Sequence, residues 1–396
     1  MTEYRWADEK DYNDIIEMAN YAFDPKNHTG DYEKDISKES YFPRILPKLY
    51  QNIKTAPMHV LAVEDGKIVG LVGNFELSTK VSGEELFVIG IGTVSTHPER
   101  RRAGNMKKLM AMSIEKAKQR NADYMILGGL RQRYEHWGFE CAGLMPQYRF
   151  TKTCCRHIYG ENAVFGYEFR PLQKEDTEYI KMERLLRTAK PVSLYHEKEQ
   201  EYNILFSMGM RPYVILKNGE FFGTFMLSGE KGVFDLRITE PEETGRVLND
   251  LLKTDIPENG GVNISHIPLF ETVMHRILTE QAEGYQMVNN IMVKVLNYER
   301  TVRAYLKLAA GIRPLSDGEA VLSFENGETL KITVKDNVPQ VLPYEGGDKP
   351  EALPELTAVN LLFGPGAVYS DFGTGISPAA RSWFPLPVFQ YMCDEV

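Results

Sequence analysis

The stretch of this chain best equipped for chemistry runs Ile89-Gly-Ile-Gly-Thr-Val-Ser-Thr-His-Pro-Glu-Arg-Arg-Arg-Ala-Gly-Asn-Met-Lys-Lys-Leu-Met110. A strand pattern ends, a proline turns the chain, three arginines precede a glycine, and an amphipathic helix begins. Unpaired backbone N–H groups and the positive end of a helix dipole converge there. Gly104 lets a phosphate approach the backbone, and Arg101 and Arg102 can add charge-assisted hydrogen bonds. The chemistry implied is capture of an anionic ligand. The turn is neither a P-loop nor a dinucleotide turn, because GxxxxGK[ST] and GxGxxG are both absent. Arg100–Arg102 also read as a solvated charge run, although cations at a helix start oppose its dipole.

Two further places carry reactive groups. Tyr134-Glu-His-Trp-Gly-Phe139 places a phenol among aromatic residues that could equally be packing. The tail Phe384-Pro-Leu-Pro-Val-Phe-Gln-Tyr-Met-Cys-Asp-Glu-Val396 is apolar and aromatic, unlike the frayed polar end most chains carry, and so is expected to be buried. Glu395 and, beyond the first helix, Asp24 are acids suited to attracting a cation. The histidines His97, His136, His157, His266 and His275 have no partner at metal-ligand spacing, and no metal is expected. GxSxG, HExxH and Cys/His nucleophile patterns are missing, which leaves a hydrolase without a site.

The elements that position these groups follow from periodicity. Asp11 is expected to cap a helix bearing Ile15, Ala19, Ala22 and Phe23 on one face. Strands at His59–Glu64 and Ile68–Phe75 flank Asp65-Gly66, a two-residue hairpin signal. A strand over Leu86–Val94, a helix from about Gly104 to Arg120 and a strand at Tyr124–Leu127 complete a mixed α+β unit. The hairpin signal returns at Asn218-Gly219, with a second glycine, Gly223, at the same offset as Gly70, so the segment from about 160 to 295 reads as a diverged second copy lacking the arginine turn. From Asn297 the character changes, and a helix at Arg303–Leu308 followed by a hairpin through Asn326-Gly327 suggests a third unit.

Length and composition agree. The 396 residues suit two or three domains at roughly 150 residues each, and 43% hydrophobic with 26% charged residues is the make-up of a chain that folds throughout. With 46 Lys+Arg against 55 Asp+Glu the net charge is −9, which argues against a nucleic-acid partner while allowing a local basic patch. No apolar run approaches the ~18 residues that span a bilayer, and the start lacks a secretory pattern, so a cytoplasmic protein without membrane association is expected. Four cysteines, none in a CxxC pair, are read as reduced thiols.

The segment Val94-Ser-Thr-His-Pro-Glu-Arg-Arg-Arg-Ala-Gly-Asn-Met106 resembles the pyrophosphate-binding signature R/Q-x-x-G-x-G/A of the GNAT superfamily of N-acetyltransferases, with Met106 where Gly or Ala is usual. With Tyr134-Glu-His-Trp-Gly-Phe139 downstream, the chain is more closely similar to the enhanced intracellular survival (Eis) acetyltransferases. That resemblance implies tandem GNAT domains, 1–150 and a degenerate 151–296, followed by a sterol-carrier-like α+β domain over 297–396. It implies acetyl-CoA as cosubstrate, held by Val94, Ser95, Thr96, Arg101, Arg102, Ala103, Gly104, Asn105 and Met106. It implies Tyr134 as the acid that protonates the departing thiolate, and the terminal carboxylate of Val396 as the base. The family usually ends in Phe, so Val396 is a departure. Thr93, Glu395 and Asp24 are placed on the acceptor side.

The chemistry is consistent in itself: an amine attacks a thioester only when neutral, so a proton acceptor, an oxyanion donor and an acid near sulfur are needed. The function expected is acetyl transfer to a primary amine of an aminoglycoside- or polyamine-like acceptor by a homo-oligomer, hexamers being common in the family. The alternatives are acetylation of a protein lysine or N-terminus, and a lipid-binding protein with a relic GNAT fold.

Overall fold

Asp65 and Gly66 both take positive φ, 48° and 78°, as the tight turn between two antiparallel strands demands. They join β2 (His59–Glu64) to β3 (Lys67–Val81), around which the first sheet is built, with β1 (Glu3–Trp6), β4 (Glu84–Thr96), β5 (Tyr124–Leu127) and β6 (Glu140–Ala142). The computed structural model describes residues 1–23, 41–229, 232–257 and 260–396. The remaining strands are β7 (Met145–Thr151), β8 (Tyr167–Pro171), β9 (Val192–Leu194), β10 (Arg211–Lys217), β11 (Glu220–Ser228), β12 (Gly232–Ile238), β13 (Gly261–Ser265), β14 (Gly284–Val288), β15 (Ile291–Val295), β16 (Gly318–Phe324), β17 (Thr329–Lys335), β18 (Val338–Pro343) and β19 (Ala352–Leu353).

The first sheet has the order β1-β2-β3-β4-β5-β15-β6, with β9 added along the far end of β3. The second has the order β8-β10-β11-β12-β13-β7-β14. The two orders are the same, with one exchange: β7 leaves the first unit to sit between β13 and β14, and β15 leaves the second to sit between β5 and β6. In each sheet one pair is parallel, β4 with β5 and β12 with β13. The sequence boundaries at 150 and 296 therefore fall at the ends of two strands that each lie in the other's sheet. A third sheet, β18-β17-β16-β19, packs against the helix Tyr298–Ile312, while the helix Glu355–Phe363 lies against β6 and β15 of the first sheet. The third sheet's apolar face shares one core with the first sheet, in which Tyr124 and Val293 pack with Leu306, Leu322 and Trp383.

Some boundaries differ from expectation for local reasons. Asp11 does not cap the first helix, Tyr12–Phe23. Asp8 caps the preceding turn, and Asp11 closes the box by accepting from the Asp8 N–H and from Arg5 at 2.7 Å. The helix expected over Arg303–Leu308 runs from Tyr298 to Ile312, because the Asn297 side chain accepts from the Arg300 N–H and starts it a turn and a half earlier. No helix among the described residues is long and apolar enough to cross a membrane. All four cysteines are free.

Candidate active site

Strand β4 is where the first sheet opens. Its pairing with β5 ends at Ile91↔Leu127, and its register with β3 shifts so that Gly92 faces Gly73 while Ser95 faces Leu71. Two residues, Thr93 and Val94, oppose one, and Thr93 takes a φ of 50°, which makes this a β-bulge. Beyond it, Ser95 and Thr96 keep their pairing toward β3, and Val94–Thr96 have none toward β5. The free edge can accept an extended polar ligand as an added strand. The hydroxyls of Ser95 and Thr96 are buried with no hydrogen-bond partner.

The chain then passes through a single turn at Pro98–Arg100 into the helix Asn105–Gln119. Gly104 has a φ of 84° and a Cβ there would meet nothing within 4 Å, so backbone conformation and not space requires glycine. The helix has no side-chain cap and no acid in its first turn, which leaves its first N–H groups facing the turn. Arg101, Arg102, Ala103 and Gly104 are exposed around them, with Arg102 also at positive φ. Arg100 is engaged elsewhere, 2.7 Å from Glu64. Asn105 and Met106 face inward instead: the Asn105 carbonyl oxygen accepts from the Tyr4 hydroxyl at 2.8 Å, and Met106 packs against the core. Of the expected anion holders, these two can contribute only their backbone.

The open end of the β4–β5 pair forms a cleft of about 400 Å³. Thr93, Val94, Tyr134, Glu395 and Val396 all line it, together with Gly128 and Gly129 of the loop after β5. Residues widely separated in sequence are thus gathered at one point. Tyr134 closes the short helix Arg131–Tyr134, its ring against Trp137 and over Gly129. Burial pushes its phenol above the ordinary value, so it stays protonated at neutral pH. Phe23, at the end of the first helix, also lines the cleft. Asp24, which follows it, lies outside the described residues.

The chain terminus lies directly on β4. A Cβ at Gly92 would stand 2.8 Å from the Val396 carboxyl carbon, and one at Gly90 2.5 Å from Val396 Cγ2. Glycine in a central strand weakens it, and here the missing side chains make the seat for the terminus. The Glu395 carboxyl is 4.0 Å from His266 Nε2, and burial pushes it up to about 7 against the pull of Lys48.

What holds the tail is a set of buried charges that motif reading did not find. Asp235 of β12 accepts from the Met392 and Cys393 N–H groups at 3.2 and 3.0 Å. Lys48 donates to the Cys393 carbonyl at 2.6 Å. His196 Nε2 lies 2.7 Å from the Asp394 carboxylate, which despite full burial is held well below the usual range by His196, Arg187 and Lys48. The Arg237 guanidinium lies over the Tyr391 ring and is itself held by Glu183 at 3.3 Å and Asp235 at 3.4 Å. None of these residues stands in a motif. The legible signal was the pair Gly90 and Gly92 in an otherwise apolar strand.

Residues 3–142 match the family model described as an acetyltransferase (GNAT) domain. The chain carries a GNAT acetyltransferase domain. It is accordingly an enzyme of the acetyltransferase class, and the bulge and open edge of β4 lie within the matched GNAT domain. The chain as a whole is similar to solved structures well beyond residue 142. A GCN5-related N-acetyltransferase from Anabaena variabilis is matched over 100% of both chains, with a TM-score of 0.66 at 14% identity. Eis1 from Mycobacterium abscessus is matched over 100% of this chain and 99% of that one, with a TM-score of 0.61 at 13% identity. A GCN5-related N-acetyltransferase from Kribbella flavida is matched over 90% and 89%, with a TM-score of 0.61 at 15% identity. At such identities the likeness is one of fold. No curated protein matches the chain in sequence.

Proposed function

We propose that the protein transfers the acetyl group of acetyl-CoA to a primary amine of a small, multiply cationic acceptor of aminoglycoside or polyamine type. The reading rests above all on one observation: the Tyr134 phenol and the Val396 terminus line a single cleft at the free edge of β4. In this reading the edge of Val94–Thr96 pairs with the amide-bearing arm of acetyl-CoA, and the turn Arg101–Gly104 with the first N–H groups of the helix Asn105–Gln119 takes its pyrophosphate. The amine nitrogen bonds to the thioester carbonyl carbon as its proton passes to the Val396 carboxylate. The carbon–sulfur bond then breaks, and the thiolate takes the Tyr134 proton. Thr93 and Glu395 are on the acceptor side, where Glu395 attracts a second ammonium, and Asp24 is taken as a further acid for the acceptor. We take the second sheet as a GNAT-like copy that has lost cofactor binding, and residues 297–396 as a sterol-carrier-like unit whose tail supplies the base. A homo-oligomer, such as a hexamer, is part of this proposal.

The second sheet is consistent with such a loss. Its strand β12 leads into Glu240-Pro-Glu-Glu243 before the helix Thr244–Leu251, three acids where the first unit has three arginines. Those acids suit a helix start and repel phosphate.

The test is CoA release from acetyl-CoA with a panel of di- and polyamines, for the protein as it stands and for a variant extended by one residue after Val396. Release with the native terminus and a large loss on extension is expected. No release with any amine overturns the reading, and full activity of the extended variant removes the terminal carboxylate from the mechanism.

A further inference from the structure

Behind Thr93, on the side away from the open edge, lies a buried hydrogen-bonded chain that the proposed reaction does not use. His59, the first residue of β2, directs its Nδ1 at the carbonyl oxygens of Thr55 and Ala56, at 3.1 and 3.2 Å. Its Nε2 is 3.1 Å from the Tyr50 hydroxyl, which in turn bonds to Thr93 Oγ1. All three side chains are buried. Carbonyls only accept, so Nδ1 carries the ring proton. Burial pushes the ring down to about 4, so the other nitrogen is bare and accepts. The Tyr50 O–H must then donate to His59, and the Thr93 O–H must donate to Tyr50. Every proton in the chain has one direction.

Thr93 needs such a hold. A β-branched residue at a φ of 50° is strained and persists only where its surroundings over-determine it. That strained residue makes the bulge by which β4 parts from β5. Tyr50 is itself fixed: its carbonyl accepts from the Tyr12 hydroxyl at 2.6 Å, and its ring packs edge-on against Phe42 and Phe75. It closes the four-residue helix Pro47–Tyr50, whose Lys48 holds the Cys393 carbonyl of the tail. One short segment therefore grips both walls of the cleft.

We infer that Tyr50 and His59 are positioning residues which, through the Thr93 hydroxyl, lock the β4 bulge in its left-handed conformation and so keep the acetyl-CoA edge open. The functional half of this inference rests on the acetyl-transfer reading; the conformational half does not.

Tyr50→Phe keeps the ring in its aromatic pocket and removes only the hydroxyl. A crystal structure of Y50F is expected to show Thr93 out of the left-handed region, and kcat for CoA release is expected to fall about ten-fold. Thr93→Val, which removes the other end of the same bond, is expected to lose as much, and Y50F/T93V no more than either alone. Y50F/T93G is expected to turn over several-fold faster than Y50F, because glycine takes the conformation without being held. A merely structural role for Tyr50 would not produce that recovery. Thr93 keeping its φ in Y50F, or no gain from the glycine, overturns the lock. If the unmodified protein releases no CoA with any amine, the acetyl-transfer reading fails, and Thr93 in the Y50F crystal decides the lock alone.

Discussion

Replacing Gly92 by alanine tests whether the seat of the chain terminus is what the catalytic proposal requires. The new methyl would lie 2.8 Å from the Val396 carboxyl carbon, 2.9 Å from its carbonyl oxygen and 3.1 Å from Phe75 Cε2. Carbon atoms rest about 3.5–4.0 Å apart, so the terminus must retreat by more than half an ångström. Gly92 does not need positive φ, and alanine in its place removes freedom from the unfolded chain, so overall stability is expected to change by less than about 1 kcal/mol. Misplacing a catalytic group by about 1 Å can cost on the order of 100-fold. Gly92→Ala is therefore expected to lower kcat for CoA release by roughly 10- to 100-fold, with an unchanged melting temperature and unchanged acetyl-CoA affinity by calorimetry. Gly90→Ala provides the contrast, because its methyl would meet Val396 Cγ2, a side-chain atom, at 2.5 Å. Shortening the terminal side chain in G90A/V396A should restore activity, whereas G92A/V396A should stay impaired because the clash is with the carboxyl itself. Full activity of G92A, or its rescue by V396A, would refute the reasoning.

Three further outcomes follow from the same geometry. Tyr134→Phe is expected to lower kcat by about 100-fold, as removal of a general acid does, with little change in acetyl-CoA affinity; unaltered turnover strikes Tyr134 from the mechanism. Because burial raises the Glu395 carboxyl to about 7, the residue is neutral below that pH and ionised above it, so KM for a diamine should fall several-fold between pH 6 and 8 and become flat in Glu395→Gln. His59 is depressed to about 4, so the unfolded chain takes up its proton near pH 6.5 while the folded one does not. The stability present above pH 6.5 is lost as the pH falls toward 4, by roughly 3 kcal/mol. Urea melts across that window should show the loss, and His59→Gln should lack it.

The parts of this protein legible in its sequence are those set by short-range rules. Asp65-Gly66 and Asn218-Gly219 each marked a hairpin because two successive positive-φ residues leave few alternatives, and Asn326-Gly327 did so with Gly327 alone at positive φ. The arginine turn was legible because its glycine and helix start are adjacent in the chain. The exchange of β7 and β15 was not, since nothing in Met-Pro-Gln-Tyr-Arg-Phe-Thr or in Ile-Met-Val-Lys-Val specifies which sheet the strand joins, and only the three-dimensional order shows it. The tail could be read as buried but not placed. Its anchors, Lys48, Asp235 and His196, lie between 157 and 345 residues away along the chain, and each alone looks like an ordinary surface charge.

The two sheets also supply what the proposed catalytic role of the chain terminus requires. A terminus is normally the most mobile part of a chain, and a base must be held within a fraction of an ångström. Strand β12 occupies in the second sheet the place of β4 in the first, and it carries its own bulge, at Asp235, with a φ of 47° beside the 50° of Thr93. In the first sheet that opening faces the cleft; in the second the Asp235 carboxylate is turned onto the backbone of Met392 and Cys393. The tail thus leaves one bulge at Cys393 and reaches the other at Val396, three residues on, too short a span to wander. Buried charges are a poor source of net stability but a strong source of register, because a misplaced tail leaves them unpaired. On the proposed reading of the second sheet as a diverged copy, its bulge at Asp235, with acids where a phosphate site would need cations, serves to fix the position of the terminus.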